Sequence, residues 1–351
     1  MTTLHWDNGS AYDFFVSLHI LHRPDDYGLR KAWAKGVRAR LGQPERETLE
    51  QIMPMMTAPL HFLQTIDQPK DSATVLANLG ALSPVERVER LTLGHDSPPE
   101  IVARLHAIRE QGSWQEEDVK LLLEAVPQHY SHRMKRQEIT QTLSIWANAE
   151  EFGEAFLQAL SSYRKVFYAE EEERIQPLLA QAEARAQELA ARLSLSDLIE
   201  ELSQGVRVPD HLQAERLILV PSFWLTPLVL YGRLPQNTLI MLFGARPTEM
   251  SLVPGDIVPD ALHQALKALA DPTRLRILRY LSQEPMTPAQ LARRLRLRAP
   301  TVSHHLYTLR LARLVHLSIE DGDKRRYALR PGAIETTYQN LSGFLSQTNE
   351  E

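Results

Sequence analysis

Over residues 10–203 the apolar positions recur mostly three and four apart, the spacing of amphipathic helices. AYDFFVSLHILH, GLRKAWAKGVRARL, SPVERVERLTL and PPEIVARLHAIREQ each follow it. Ser83 with Glu86 forms a capping box around Pro84, a proline at the first helical position. Residues 163–202, rich in Ala, Glu, Gln and Leu, suit one long helix, kinked near Pro177 where a backbone donor is missing. The acidic run 170–173 reads as a solvated face of that helix. After Gly205 the pattern shortens: VRV, ERLILVP, PLVLYG and NTLIMLFG are β-branched or aromatic runs separated by Pro, Gly and Asn. They predict strands of a small antiparallel sheet. The most apolar run, residues 217–231, is broken by Pro221 and Pro227 and is shorter than the roughly 20 residues of a membrane helix. It reads as two buried strands, and no membrane association is expected.

A second pattern begins after residues 250–260, where Pro254, Gly255 and Pro259 predict a linker. LHQALKALA is followed by Asp271-Pro272, a cap and a helix opener, and then by TRLRILRYLSQ with Leu275, Ile277, Leu278 and Leu281 as its buried stripe. Thr287 and Gln290 form a second capping box, opening AQLARRLRL. A short turn leads to PTVSHHLYTLRLARL, and two helices so joined make a helix-turn-helix. In VHLSIEDGDKRRYAL, Val315, Leu317 and Ile319 alternate, Asp321-Gly322 turns, and Tyr327 and Leu329 alternate on the return. That is a hairpin wing. The expected fold is therefore mainly α with small β (α+β). A helical N-terminal domain with a small antiparallel sheet spans residues 1–253, a linker 254–260, and a winged helix-turn-helix domain 261–351.

Charge sharpens the division. Residues 261–331 carry 14 Lys and Arg against 5 Asp and Glu, while the rest of the chain carries 25 against 39. A basic module on an acidic body is the distribution expected when one part meets a polyanion. The chain has no cysteine, which excludes thiolate metal sites, thiol nucleophiles and disulfides. MTTLHWDNGSAYDFF lacks the basic start and unbroken apolar core of a secretory signal, so a cytoplasmic location is expected.

LADPTRLRIL at residues 269–278 and PTVSHHLYTL at residues 300–309, with the wing behind them, resemble the winged-helix repressors of the ArsR type. The resemblance covers about a fifth of the chain. It implies a homodimeric DNA-binding transcriptional regulator, commonly a repressor released by an effector, acting on a near-palindromic double-stranded operator. The metal switches common in that family have no counterpart here: PMTPAQLARRL has no cysteine and GAIETTYQNLSGFLSQ no histidine. Arg298 stands where the family tends to place a serine, which removes a helix cap and offers a phosphate contact instead. Under this resemblance Thr301, Ser303, His304 and Tyr307 are base-edge and nearby phosphate candidates, and Arg298, Lys324, Arg325 and Arg326 phosphate neutralisers. Leu262, Leu266 and Leu269, with the stripe Ile334, Tyr338, Leu341 and Leu345, form the candidate dimer face. The long N-terminal domain, with the family's metal sites missing, is the expected place for a small-molecule or protein effector.

Other chemistry is thin. With Val302, Leu306 and Leu309 inward, His304 points outward and His305 lies at the helix edge, about 100° apart, so the pair is poorly placed to share a metal. His19-x-x-His22, near Asp25 and Asp26, and His129-x-x-His132 have metal-like spacing but read more simply as ordinary side chains. No GxSxG, Walker-type, GxGxxG or HExxH motif is present, so no catalytic residue, metal or cofactor is assigned. Phe223, Trp224, Tyr231 and Phe243, with Trp6, Trp33, Trp114 and Trp146, are either pocket lining or plain core. The alternatives are an antitoxin-like protein-interaction module with secondary DNA binding, and an enzyme domain fused to a DNA-binding one.

Overall fold

The computed structural model describes residues 2–53, 56–94, 97–125, 135–207, 214–320 and 324–346. The strands among the described residues are β1 (Thr3–Trp6), β2 (Val206–Arg207), β3 (Arg216–Ser222), β4 (Leu230–Leu234), β5 (Thr238–Gly244), β6 (Val315–Glu320) and β7 (Lys324–Leu329). Among the helices, Ser10–His22 is buried along nearly its whole length, because its apolar residues occupy every face. Trp146, Trp224, Phe223 and Tyr163 are fully buried in the same core, so most of the aromatic residues noted above are packing. Tyr231 is the exception and is exposed.

Both capping boxes form as read: Ser83 accepts from Glu86 N and Thr287 from Gln290 N. The long helix differs from expectation. Residues Arg164–Tyr168 make a π-helical turn, Ala169–Ala190 runs through Pro177, and a break at 191–194 precedes a separate helix, Leu195–Leu202. Ser194 restarts the helix by accepting from Asp197 N at 3.2 Å. The acidic run is only half solvated. Glu172 accepts from Ser10 Oγ at 2.6 Å, Ser72 N at 2.8 Å and Ser72 Oγ at 2.5 Å, and Glu171 binds Arg174 and Trp224 Nε1. Both carboxylates are buried because these donors replace their water.

The α+β class is observed, but the N-terminal sheet is mixed rather than antiparallel. Its order is β1-β3-β5-β4, with β1/β3 and β3/β5 parallel and only β4/β5 antiparallel. The missing partner is β1, which pairs Leu4 with Leu217 across more than 200 residues, beyond any local turn signal. β3 is buried at six of its seven positions, as a strand covered on both faces must be. The VRV segment also departs from expectation: β2 leaves this sheet and pairs in parallel with β6 of the wing, Val206 with Leu317 and Arg207 with Ser318.

The C-terminal helices are Asp260–Leu269, Pro272–Leu281, Pro288–Leu295, Ala299–Leu311 and Ala333–Ser346. Ile277, Leu291, Val302, Leu306 and Leu309 form their common core. Leu275, expected inside, is 48% exposed. With Ile277, Leu278 and Leu281 setting the inward direction, it lies about 110° away round the helix. The wing pairs Val315 with Leu329 and Leu317 with Tyr327, and its turn at Asp321-Gly322 lies outside the described residues.

Several contacts tie this module to the rest. Leu317 N donates to Gly205 O at 2.8 Å, His316 Nδ1 lies 3.4 Å from Glu200, and Gln264 Nε2 donates to Gly28 O at 2.9 Å. Gly205 has φ +108°, and a Cβ there would meet His316 Nδ1 at 2.9 Å. Gly205→Ala is therefore expected to destabilise the chain by about 1–3 kcal/mol, through backbone strain and loss of the β2–β6 seam. Urea unfolding reads the effect, and a loss below 0.5 kcal/mol would contradict the role given to this glycine.

Candidate nucleic-acid interface

Helix Pro288–Leu295 ends with Arg296 in the left-handed conformation, φ +57°, and this turns the chain sharply into helix Ala299–Leu311. Arg298 occupies the N-cap with no side-chain cap hydrogen bond, and its side chain is exposed. The free N-terminal turn is left to Pro300 at the second helical position and to solvent.

Val302, Leu306 and Leu309 are fully buried and fix the helix's rotation. Thr301, Ser303 and His304 are consequently exposed together on its outer face. His305 lies at the flank, half-buried, where burial lowers its pKa and Nδ1 finds no hydrogen-bond partner among the described residues. The two histidine rings are 6.3 Å apart at 55°, diverging as helix geometry requires.

Tyr307 takes a different place from Thr301, Ser303 and His304. Its hydroxyl donates to the carbonyl of Asp26 in the short 3-10 helix Pro24–Tyr27 of the N-terminal region. Burial, with Tyr27 and Asp26 nearby, raises its pKa far above the usual phenol value. In this conformation Tyr307 joins the two regions and is not on the free face. The contact spans 281 positions, so no local pattern could have shown it. Arg310, one turn on, was also missed. It lies beside Tyr307 and Tyr327, where burial lowers its pKa and Nη1 lacks a hydrogen-bond partner among the described residues.

On the wing Arg325 is exposed and Arg326 half-buried; the side chain of Lys324 lies outside the described residues. Of the dimer-face residues, Leu262 is buried within the chain, Leu269 and Leu341 are half-buried, and Leu266, Ile334, Tyr338 and Leu345 are exposed, the last two at 66% and 72%. Ile334, Tyr338 and Leu345 thus leave apolar side chains of one helix facing water in this chain.

His19 and His22 have other uses. His19 Nδ1 is 2.9 Å from Met53 O and 3.0 Å from Met56 O, and His22 Nδ1 is 2.8 Å from Leu18 O. Burial lowers both pKa values, that of His22 to about 4. Among the described residues no group of three or more His, Asp or Glu is placed to hold a metal; His129 and His132 lie outside them. Among the same residues no helix is long and apolar enough to cross a membrane.

A tight turn between two helices, a polar face on the second and a basic hairpin beside it define a winged helix-turn-helix DNA-binding protein. The family model described as bacterial regulatory protein, arsR family, matches residues 271–316. A curated relative, the HTH-type transcriptional regulator Rv2034 of Mycobacterium tuberculosis, is 38% identical over 81 residues, 23% of this chain and 75% of that protein. The chain belongs to the ArsR family of bacterial regulatory proteins, and it carries a long N-terminal extension beyond the matched region. No solved structure gives a significant match.

Proposed function

We propose that this DNA-binding regulator acts as a repressor, binding a near-palindromic operator as a homodimer under the control of its N-terminal region. In this reading residues 1–253 form the controlling domain, 254–260 the linker, and 261–351 the DNA-binding and dimerisation domain, working in the cytoplasm. Thr301, Ser303 and His304 read base edges, while Arg298, Lys324, Arg325 and Arg326 neutralise phosphates. Leu266, Ile334, Tyr338 and Leu345 pair across the two-fold axis. Leu262, buried in its own chain, supports that face from behind rather than meeting a partner.

The observation that carries the control is the doubled attachment of the reading module. The wing is extended by β2, and the recognition helix is held through Tyr307, both by the N-terminal region. A change in that region moves the recognition helix and wing together, altering the distance or angle between the two helices of a dimer. Its DNA-free position is then one of two states that an effector weights.

Selection of bound duplexes from a random library tests the operator. The recovered sites should be near-palindromes with half-sites about 34 Å apart, one helical turn. Tyr338→Asp with Leu345→Asp should convert the dimer to monomer in sedimentation and lower affinity for the selected site at least 100-fold. A single unrepeated half-site, or an unchanged dimer, would contradict this assignment.

A further inference from the structure

A cleft of about 560 Å³ opens between helix Ala169–Ala190, the carboxyl end of β5 and the DNA-binding module. That size is typical of small-molecule sites, and the carboxyl ends of parallel strands are where sheets of this kind bind ligands. Its lining combines apolar surface, including Phe243 and Leu189, with Arg185, Arg246, Arg313 and Arg330. Against these four arginines the lining carries two carboxylates, Glu201 and Glu249.

Among the described residues, Arg246 alone of the four makes an ion pair, and that one is long. Arg246 is buried; its backbone N donates to Thr226 Oγ1 at 2.9 Å and its Nη2 to Thr226 O at 3.0 Å. Its Nη1 makes no hydrogen bond; Asp260, at 3.6 Å, is its nearest counter-charge, with Asp13 and Glu171 acting on it from the core side. Arg313 donates to Thr248 Oγ1 at 3.3 Å. Arg185 and Arg330 make no side-chain hydrogen bond or ion pair among the described residues. Burial, reinforced by Arg246 and Arg330, pushes Arg313 down to about 9, and burial pushes Arg246 to about 10. Like charges gathered in a partly desolvated cleft repel, and an anion entering it relieves that cost.

We propose that this cleft binds an amphipathic organic anion, its carboxylate or phosphate head held by Arg246, Arg313 and Arg330 and its apolar body against Phe243 and Leu189. Arg313 and Arg330 flank the recognition helix and the wing in sequence, whereas Arg246 and Phe243 belong to the N-terminal sheet region. One bound molecule therefore touches both sides of the joint. Binding stands on the cleft alone; its effect on DNA rests on the control proposed above.

Calorimetric titration of the full chain with octanoate, octyl phosphate and uncharged octanamide tests the site. One equivalent of at least one anion should bind at least ten times tighter than octanamide, and the stronger of the two identifies the head group. Arg313→Gln with Arg330→Gln should weaken it at least tenfold. Arg185→Gln, at an exposed lining position where little stability is at stake, should weaken it several-fold by removing one positive charge from the cleft. Equal binding of octanamide, no anion binding up to millimolar concentration, or wild-type affinity in both variants would overturn the proposal. Titration of the selected operator with and without saturating anion separates the two readings. Anion binding with unchanged operator affinity keeps the cleft and removes its control of DNA, whereas absent anion binding removes the cleft without touching operator recognition.

Discussion

Replacing Thr301, Ser303 and His304 together by alanine is expected to lower affinity for the selected operator about 100- to 1,000-fold, roughly 3–4 kcal/mol at 1.4 kcal/mol per decade. Each base-edge contact discriminates by about 1–3 kcal/mol, and contacts on one short helix face are not fully additive. The three side chains are exposed, and the core beneath them, Val302, Leu306 and Leu309, is untouched, so thermal stability should move by less than about 0.5 kcal/mol. Binding to unrelated duplex DNA should be almost unchanged, because it rests on Arg298 and the wing arginines and on counterion release. The salt slope should likewise stay fixed, whereas removing one phosphate contact lowers it by about 0.9. If the triple variant binds the selected operator like wild type, the exposed face of helix Ala299–Leu311 is not the reading surface. If it loses specific and nonspecific binding together, these residues act on the backbone and not on the bases.

What could be read from the sequence was what is settled by neighbours a few positions apart. Asp271, Thr287 and Ser83 cap their helices because the cap, the proline and the third-position partner are adjacent in the chain. The rotation of the recognition helix follows from three apolar residues, and it separates His304 from His305 without further information. Contacts between distant segments were not legible. β1 is four residues that acquire meaning only beside Leu217, and Val206-Arg207 looks like any other short strand until it meets the wing. Tyr307 has the spacing of a DNA contact, and only the fold brings Asp26 to its hydroxyl. The arginine cleft was invisible for the same reason: Arg185 and Arg246 lie in one region and Arg313 and Arg330 in the other, and the four line one cleft only when the two regions pack.

Unfolding free energy is expected to contain a component that falls as pH rises from 5 to 8, and Asp13 is its source. This carboxyl is fully buried in helix Ser10–His22 and receives Ser222 Oγ at 2.5 Å, Phe223 N at 2.7 Å and Trp224 N at 3.2 Å, which fastens the end of β3 to the central helix. Those donors favour the charged form, but burial outweighs them and raises the pKa to about 7. In the unfolded chain an aspartate titrates near 3.9. Between these two values the native state holds a proton that the unfolded chain has released, so stability falls with rising pH and the contribution is gone once pH passes 7. Over pH 5 to 8 that amounts to about 3 kcal/mol. His19 and His22 act in the opposite sense, because burial lowers their pKa and acid then favours the unfolded chain. The Asp13 component therefore has to be isolated by comparison with Asp13→Asn, which is neutral at every pH. The variant's lost acceptor at Phe223 N adds a constant cost that does not depend on pH. Urea unfolding of both proteins across the range should show the wild type losing about 3 kcal/mol relative to the variant as pH rises, with most of the change between 5 and 7. Parallel curves would mean that the three donors hold Asp13 ionised throughout, with its folded pKa near or below the unfolded one.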